Sequence, residues 1–244
     1  MPRNLHLVIE GFTSSVRGQN PGKRLPAKHS PPVSRIHWNG DRGWWFTPPF
    51  TDKTLTSYDR KNQNPALVQQ AARVLIDEEY KNYTKRFTDG SKESGKVGFG
   101  VHEHGIDQFY RLPDCSSVFS AEAAGVFVAS TMPAQGPIAI FTDSLSVIQA
   151  LESPNPQHPW IQAILKYAKP DCVFVWVPGH YGISGNVNAD HLAALGRRGI
   201  LYTKQAPAMD IRKAIDKGTR EKWEEMWCQN RTLCLRKIED TTEE

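Results

Sequence analysis

Three short aspartate motifs follow one another along the chain: Thr88-Asp89-Gly90-Ser91, Thr142-Asp143-Ser144 and Gly185-Asn186-Val187-Asn188-Ala189-Asp190. Asp89 and Asp143 each follow an apolar, strand-like run, and Glu122 opens a helical stretch between them. Buried or half-buried carboxylates repel one another, so a fold that gathers four of them needs a compensating charge. Hard divalent cations such as Mg²⁺ take oxygen ligands and supply it. A site of that kind suits phosphoryl-transfer chemistry.

Each residue also has a plainer use. A single aspartate after a strand is more often a turn residue or a helix cap. Glu122 alone would favour the dipole of its helix. His102 and His104 have i, i+2 spacing on a strand, but no third ligand accompanies them, so both are expected to face solvent. Trp223 and Trp227, at i, i+4, read as packing residues rather than a base-stacking platform.

The elements that must position the acids alternate between the two periodicities. Ala66 to Tyr80 reads as a helix. Lys85–Asp89 is a short strand. Gly95–His104 and Ile106–Leu112 form a hairpin turning near Gly105. Phe119–Thr131 is a helix, capped by Ser120 or a neighbouring serine. Ile138–Thr142 is a buried strand, followed by helices over Ser144–Leu151 and Trp160–Ala168. Cys172–Val177 is an apolar strand, and Ser184–Gly196 a helix. This order implies an α/β fold, a mixed five-stranded sheet flanked by helices. In such sheets ligands gather at the carboxyl ends of the parallel strands, where Asp89, Asp143 and the His180 loop are expected. Ile211 to about Ile238 reads as a helical appendage outside the catalytic unit.

The chain of 244 residues divides on this reading into a basic, disordered tail (1–35), an aromatic and proline-bearing segment with a helix (36–82), the α/β domain (83–199) and the C-terminal helical extension (200–244). Residues 1–35 hold six Lys/Arg and one acid, whereas residues 85–200 hold nine basic and ten acidic residues. The motif region is therefore no basic glove, and a polyanion there would be held by metal, backbone amides and hydroxyls, with help from the tail. No apolar run approaches a membrane span, and the first twelve residues lack the apolar core of a secretory signal. Four cysteines without a CxxC pair fit reduced thiols, and so an intracellular protein of nucleus or cytoplasm.

With the strings FTDGS, SAEAAG, IFTDS and VPGHYGISGNVNAD in this order, residues 83–198 resemble ribonuclease H of type 1, and look most like the version carried by non-LTR retrotransposons. The resemblance implies that Asp89, Glu122, Asp143 and Asp190 bind two Mg²⁺ ions, with Mn²⁺ as a substitute. Asp89 would bridge the pair, Glu122 and Asp143 would hold one ion, and Asp190 the other. One metal would activate a water and the other stabilise the leaving 3′-oxygen, giving a 5′-phosphate. His180 would assist proton movement or product release. The implied substrate is the RNA strand of an RNA–DNA hybrid, with Gly90 and Ser91 meeting a ribose and Ser144 contacting phosphate or Asp143. Asn186 shares a helix face with Asp190.

The chain departs from the family at Val187, where an acidic residue is frequent, and lacks a basic handle between the helices near Pro154-Asn155-Pro156. Weak, salt-sensitive hybrid binding by a monomer is the expectation, with a reverse transcriptase as a partner in trans, because fewer than 90 residues lie upstream. The competing reading is a catalytically silent, nucleic-acid-binding remnant of a retrotransposon polyprotein.

Overall fold

The computed structural model describes residues 48–58 and 64–240, with side chains described as far as 228. The tail over 1–35 and the aromatic residues Trp38, Trp44, Trp45 and Phe46 lie outside the described residues. Six strands form one sheet: β1 (Thr51–Asp52), β2 (Thr84–Glu93), β3 (Lys96–Glu103), β4 (Ile106–Leu112), β5 (Ile138–Thr142) and β6 (Cys172–Trp176), in the spatial order β1-β6-β5-β2-β3-β4. The sheet thus has one more strand than the periodicity implies. Thr51 and Asp52 pair in parallel with Phe174 and Val175, and a two-residue edge strand is too short to show an alternating pattern.

The hairpin β2–β3 closes through Ser94 and Gly95, both at positive φ (50° and 76°). A two-residue connection of this kind matches the twist of the flanking strands, and glycine adopts it without steric cost. β5 and β6 are buried at every position, as expected of parallel strands covered on both faces.

The helices are α1 (Pro65–Val74), α2 (Val118–Thr131), α3 (Leu145–Glu152), α4 (Pro159–Tyr167), α5 (Ser184–Gly196) and α6 (Ala208–Asp240). Helix α1 gives way to a single π-helical stretch over Leu75–Glu79. Ten residues of α2 are buried, so the helix is apolar all round and sits in the core rather than on it. Its N-cap is Ser117, whose side chain accepts from the Ser120 amide; Ser120 itself is fully buried.

The C-terminal end of α2 is held by Arg86 of β2, which is 0% exposed. Its guanidinium donates to the Glu103 carboxylate at 2.7 Å and to the carbonyls of Ala129 (2.6 Å), Met132 (3.2 Å) and Pro133 (2.8 Å). These satisfy carbonyls that the helix end leaves orphaned. Among the described residues no helix is long and apolar enough to cross a membrane. Cys115 and Cys172 form no disulfide.

Candidate active site

β2 does two things at once. Over Thr84–Thr88 it pairs in parallel with Ile138–Thr142 of β5, and over Arg86–Glu93 it pairs antiparallel with β3. Asp89 is the first residue past the parallel ladder, and Asp143 is the first residue past β5. Their preceding residues, Thr88 and Thr142, are register partners, so the two aspartates leave adjacent strands at the same level. The expectation that Asp89 ends its strand is corrected: β2 runs on to Glu93 because β3 continues to pair with it.

Glu122 reaches this level because Gly90 has no side chain. A Cβ at Gly90 would stand 2.5 Å from the Glu122 amide nitrogen and 2.9 Å from the Glu122 Cγ. The first turns of α2 therefore lie directly on β2 beside Asp89. Gly90, read from sequence as a ribose-facing residue, also has this structural purpose.

Ser144 caps α3 and donates its hydroxyl to Glu122 Oε2 at 2.5 Å, rather than to Asp143. Asn186, on α5, donates from Nδ2 to Asp143 Oδ2 at 3.2 Å. Asp190 is one turn further along the same helix and exposed. Ser91 is engaged by Arg197, which donates to its Oγ at 2.5 Å and also pairs with Glu93 at 2.6 Å.

The electrostatics bind these residues into one basin. Burial pushes the Asp89 carboxyl up to about 7 from an ordinary value near 3.8, and the negative charges of Asp143, Asp190 and Glu122 add to the effect. Burial also raises Glu122, partly offset by the Ser144 hydrogen bond, with Asp143 adding to the rise. Asp143 is raised by burial, against the Asn186 hydrogen bond and the nearby His180. His180 is exposed and adopts positive φ (64°) in the loop after β6. That loop closes tightly on the basin, since a Cβ at Gly179 would meet Asp143 Oδ2 at 2.6 Å.

Asp89 thus feels the other three acids and Asp143 feels His180, although among the described residues no group of three or more Asp, Glu, His or Cys side chains is placed to hold a metal ion. The donor chemistry fits a hard divalent cation: every group is an oxygen ligand, and Asn186 Oδ1 is buried beside Asp143 without a hydrogen-bond partner.

Elsewhere, His102 is held by Asp107 at 2.7 Å across the β3–β4 hairpin and by Asn188, while His104 is exposed. They make no metal pair. Trp223 and Trp227 were expected to pack; they stack on each other, centroids 5.5 Å apart and 12° between planes, but on the outside of α6 at 60% and 58% exposure. The start of α6 does not stand clear of the domain, because Asp210 is 2% exposed and bonded to Ser117 and Ser120. No periodicity signals that contact, which spans 90 positions of sequence.

Residues 81–198 match the family model described as RNase H. The Pol polyprotein of equine infectious anemia virus (strain Wyoming) is 26% identical over 220 residues, covering 87% of this chain and 18% of the relative. The Pol polyproteins of isolates 1369 and CL22 of that virus show the same identity and coverage. The chain thus spans a small part of the length of these relatives. These relatives are viral polyproteins.

Proposed function

Residues 81–198 belong to the RNase H family, and from that premise we propose that this chain hydrolyses the RNA strand of RNA–DNA hybrids with divalent metal. The observation that carries the reading is the basin of four mutually repelling carboxylates, with Asp89 raised to about 7 beside Asp143, Asp190 and Glu122. Perturbed acids collected in one place are a mark of function rather than of stability.

Asp89, Glu122, Asp143 and Asp190 would hold two Mg²⁺ or Mn²⁺ ions. When bound, the metals supply an activated water and stabilise charge on the leaving oxygen. The chain's own groups do the rest. The Ser144 hydroxyl fixes the Glu122 carboxylate, and the Asn186 amide fixes that of Asp143. Carboxylates so restrained lose less freedom when they bind. His180, exposed in the loop after β6 and near enough to Asp143 to favour its charged form, would on this reading carry a proton to or from a departing group. Gly90 and Ser91, adjacent on β2, would meet a ribose through their backbone, since α2 covers the side-chain face of Gly90 and Arg197 engages the Ser91 hydroxyl.

The hybrid suits this site because its wide minor groove shows both 2′-hydroxyls and phosphates to a shallow surface. Arg197 is already paired with Glu93 and donates to Ser91, so its charge is partly spent within the protein. Binding is therefore expected to be weak and to fall with salt. A monomer suffices for the site, and a reverse transcriptase acting in trans would supply hybrid. Nuclear or cytoplasmic placement remains part of this reading.

The test is cleavage of an end-labelled hybrid by the purified chain across Mg²⁺ and Mn²⁺, beside an Asp143→Asn variant. Cleavage of the RNA strand by the parent and not by the variant is expected. Equal cleavage by both, or by neither in any metal, sinks the reading.

A further inference from the structure

Helix α2 carries Glu122, and its N-terminus is built from three pieces of chain. Ser117 caps it from within. His158, the residue preceding α4, closes on it from one side, its ring edge-on to Phe119 with centroids 4.8 Å apart. Asp210, in the first turn of α6, closes on it from another. Asp210 Oδ2 accepts from the Ser117 amide at 3.0 Å and from the Ser120 hydroxyl at 2.5 Å.

The hydrogen-bond inventory assigns every proton here. Ser120 has one hydroxyl proton, and it goes to Asp210. Its oxygen then accepts from the Ser117 hydroxyl at 3.1 Å and from His158 Nε2 at 3.0 Å. His158 therefore carries its proton on Nε2, and Nδ1 is the buried atom left without a partner. Burial lowers His158 to about 4, so the ring is neutral near pH 7 and does not compete as a cation for the Asp210 carboxylate.

We propose that Asp210 is a positioning residue of the cleavage site: it ties the first turn of α6 to the N-terminus of α2 and through that helix sets the place of Glu122. The inference rests on the nuclease reading above. Asp210 touches neither Glu122 nor any other acid of the basin in its hydrogen bonds. It acts through an amide five residues before Glu122 and a hydroxyl two residues before it. A carboxylate at a helix N-terminus is also favoured by the helix dipole. Mutating groups that orient a metal ligand without touching the metal typically costs about 10–100-fold in affinity or activity.

The test uses the full chain and three variants: Asp210→Ala, which removes both accepting contacts; Asp210→Asn, which keeps an acceptor oxygen; and Ser120→Ala, which spares the Asp210–Ser117 contact. Mn²⁺ affinity is read by calorimetry, and kcat and KM for a hybrid are read separately, with thermal melts to establish that each variant is folded. Asp210→Ala should weaken Mn²⁺ binding by about 10-fold and lower kcat with little change in KM, and Asp210→Asn should recover most of the loss. Ser120→Ala should fall between them, and it decides the matter if Asp210→Ala does not fold. Parent-like Mn²⁺ affinity in folded Asp210→Ala or, failing that, in Ser120→Ala overturns the positioning role and leaves the nuclease reading intact. A parent chain that neither binds Mn²⁺ nor cleaves hybrid overturns both.

Discussion

Arg86 and Asp89 lie three residues apart on one strand, the first fully buried and the second half-buried with its carboxyl raised to about 7. Around Arg86 the fold supplies a carboxylate and three carbonyls within hydrogen-bond range. Around Asp89 it supplies three more acids. Desolvating a carboxylate among like charges is expensive. The Arg86 end of β2 anchors α2 and closes the core. The Asp89 end stores repulsion that a bound cation would relieve. One strand thus separates what the fold needs from what the chemistry needs.

The contrast can be broken in graded steps. The largest effect is expected at the acid end and in catalysis: Asp143→Asn should lower hybrid cleavage by about 10⁴-fold while the protein stays folded, because several kcal/mol of metal-borne stabilisation are lost. A folded variant with near-parental turnover would remove Asp143 from the site. Next, Arg86→Ala should cost about 3–5 kcal/mol in urea denaturation, since it strands Glu103 and the helix-end carbonyls. A loss within experimental error would mean that the Arg86 cluster is ornamental.

The acid end should behave in the opposite sense. Asp89 has a folded value near 7, above its ordinary 3.8, so the folded state binds more protons than the unfolded one between those limits. Stability of the chelator-treated protein should therefore fall as pH rises from about 4 to about 7. Asp89→Asn should flatten that slope and stabilise the metal-free protein near pH 8 by on the order of 2 kcal/mol, discounted for partial exposure. A steeper slope in the variant would contradict the assignment.

Smaller effects sharpen the geometry. Gly90→Ala should cost about 1–2 kcal/mol and weaken metal binding, because its Cβ would press on the Glu122 amide. Urea midpoints and Mn²⁺ calorimetry measure the two losses. Glu103→Gln leaves Arg86 its three carbonyls and an amide oxygen, so a loss of about 1 kcal/mol in the same denaturation assay is expected.

Much of this was legible before any coordinates. The runs Ile138–Thr142, Cys172–Val177 and Ser184–Gly196 show their period within a few residues, and the structure places elements there with ends shifted by one residue at most. The Asp89 strand was cut short because Gly90 and Ser91 break the apolar pattern, while its ladder with β3 does not depend on apolarity. The Phe119 helix begins one residue earlier, at Val118, and is capped by Ser117; Ser120, three positions along, serves a different bond.

From sequence alone came the order of the acidic motifs, the alternation of strands and helices, and the family those strings resemble, because periods and caps are local properties of the chain. Tertiary structure alone decided that Ser144 steadies Glu122, that Arg197 occupies Ser91, that Thr51 and Asp52 extend the sheet, and that Asp210 closes on Ser120. Contacts such as Arg197–Ser91, 106 positions apart, leave no trace in any short window. They exist only once packing has set two distant segments side by side and left each polar group to find its partner.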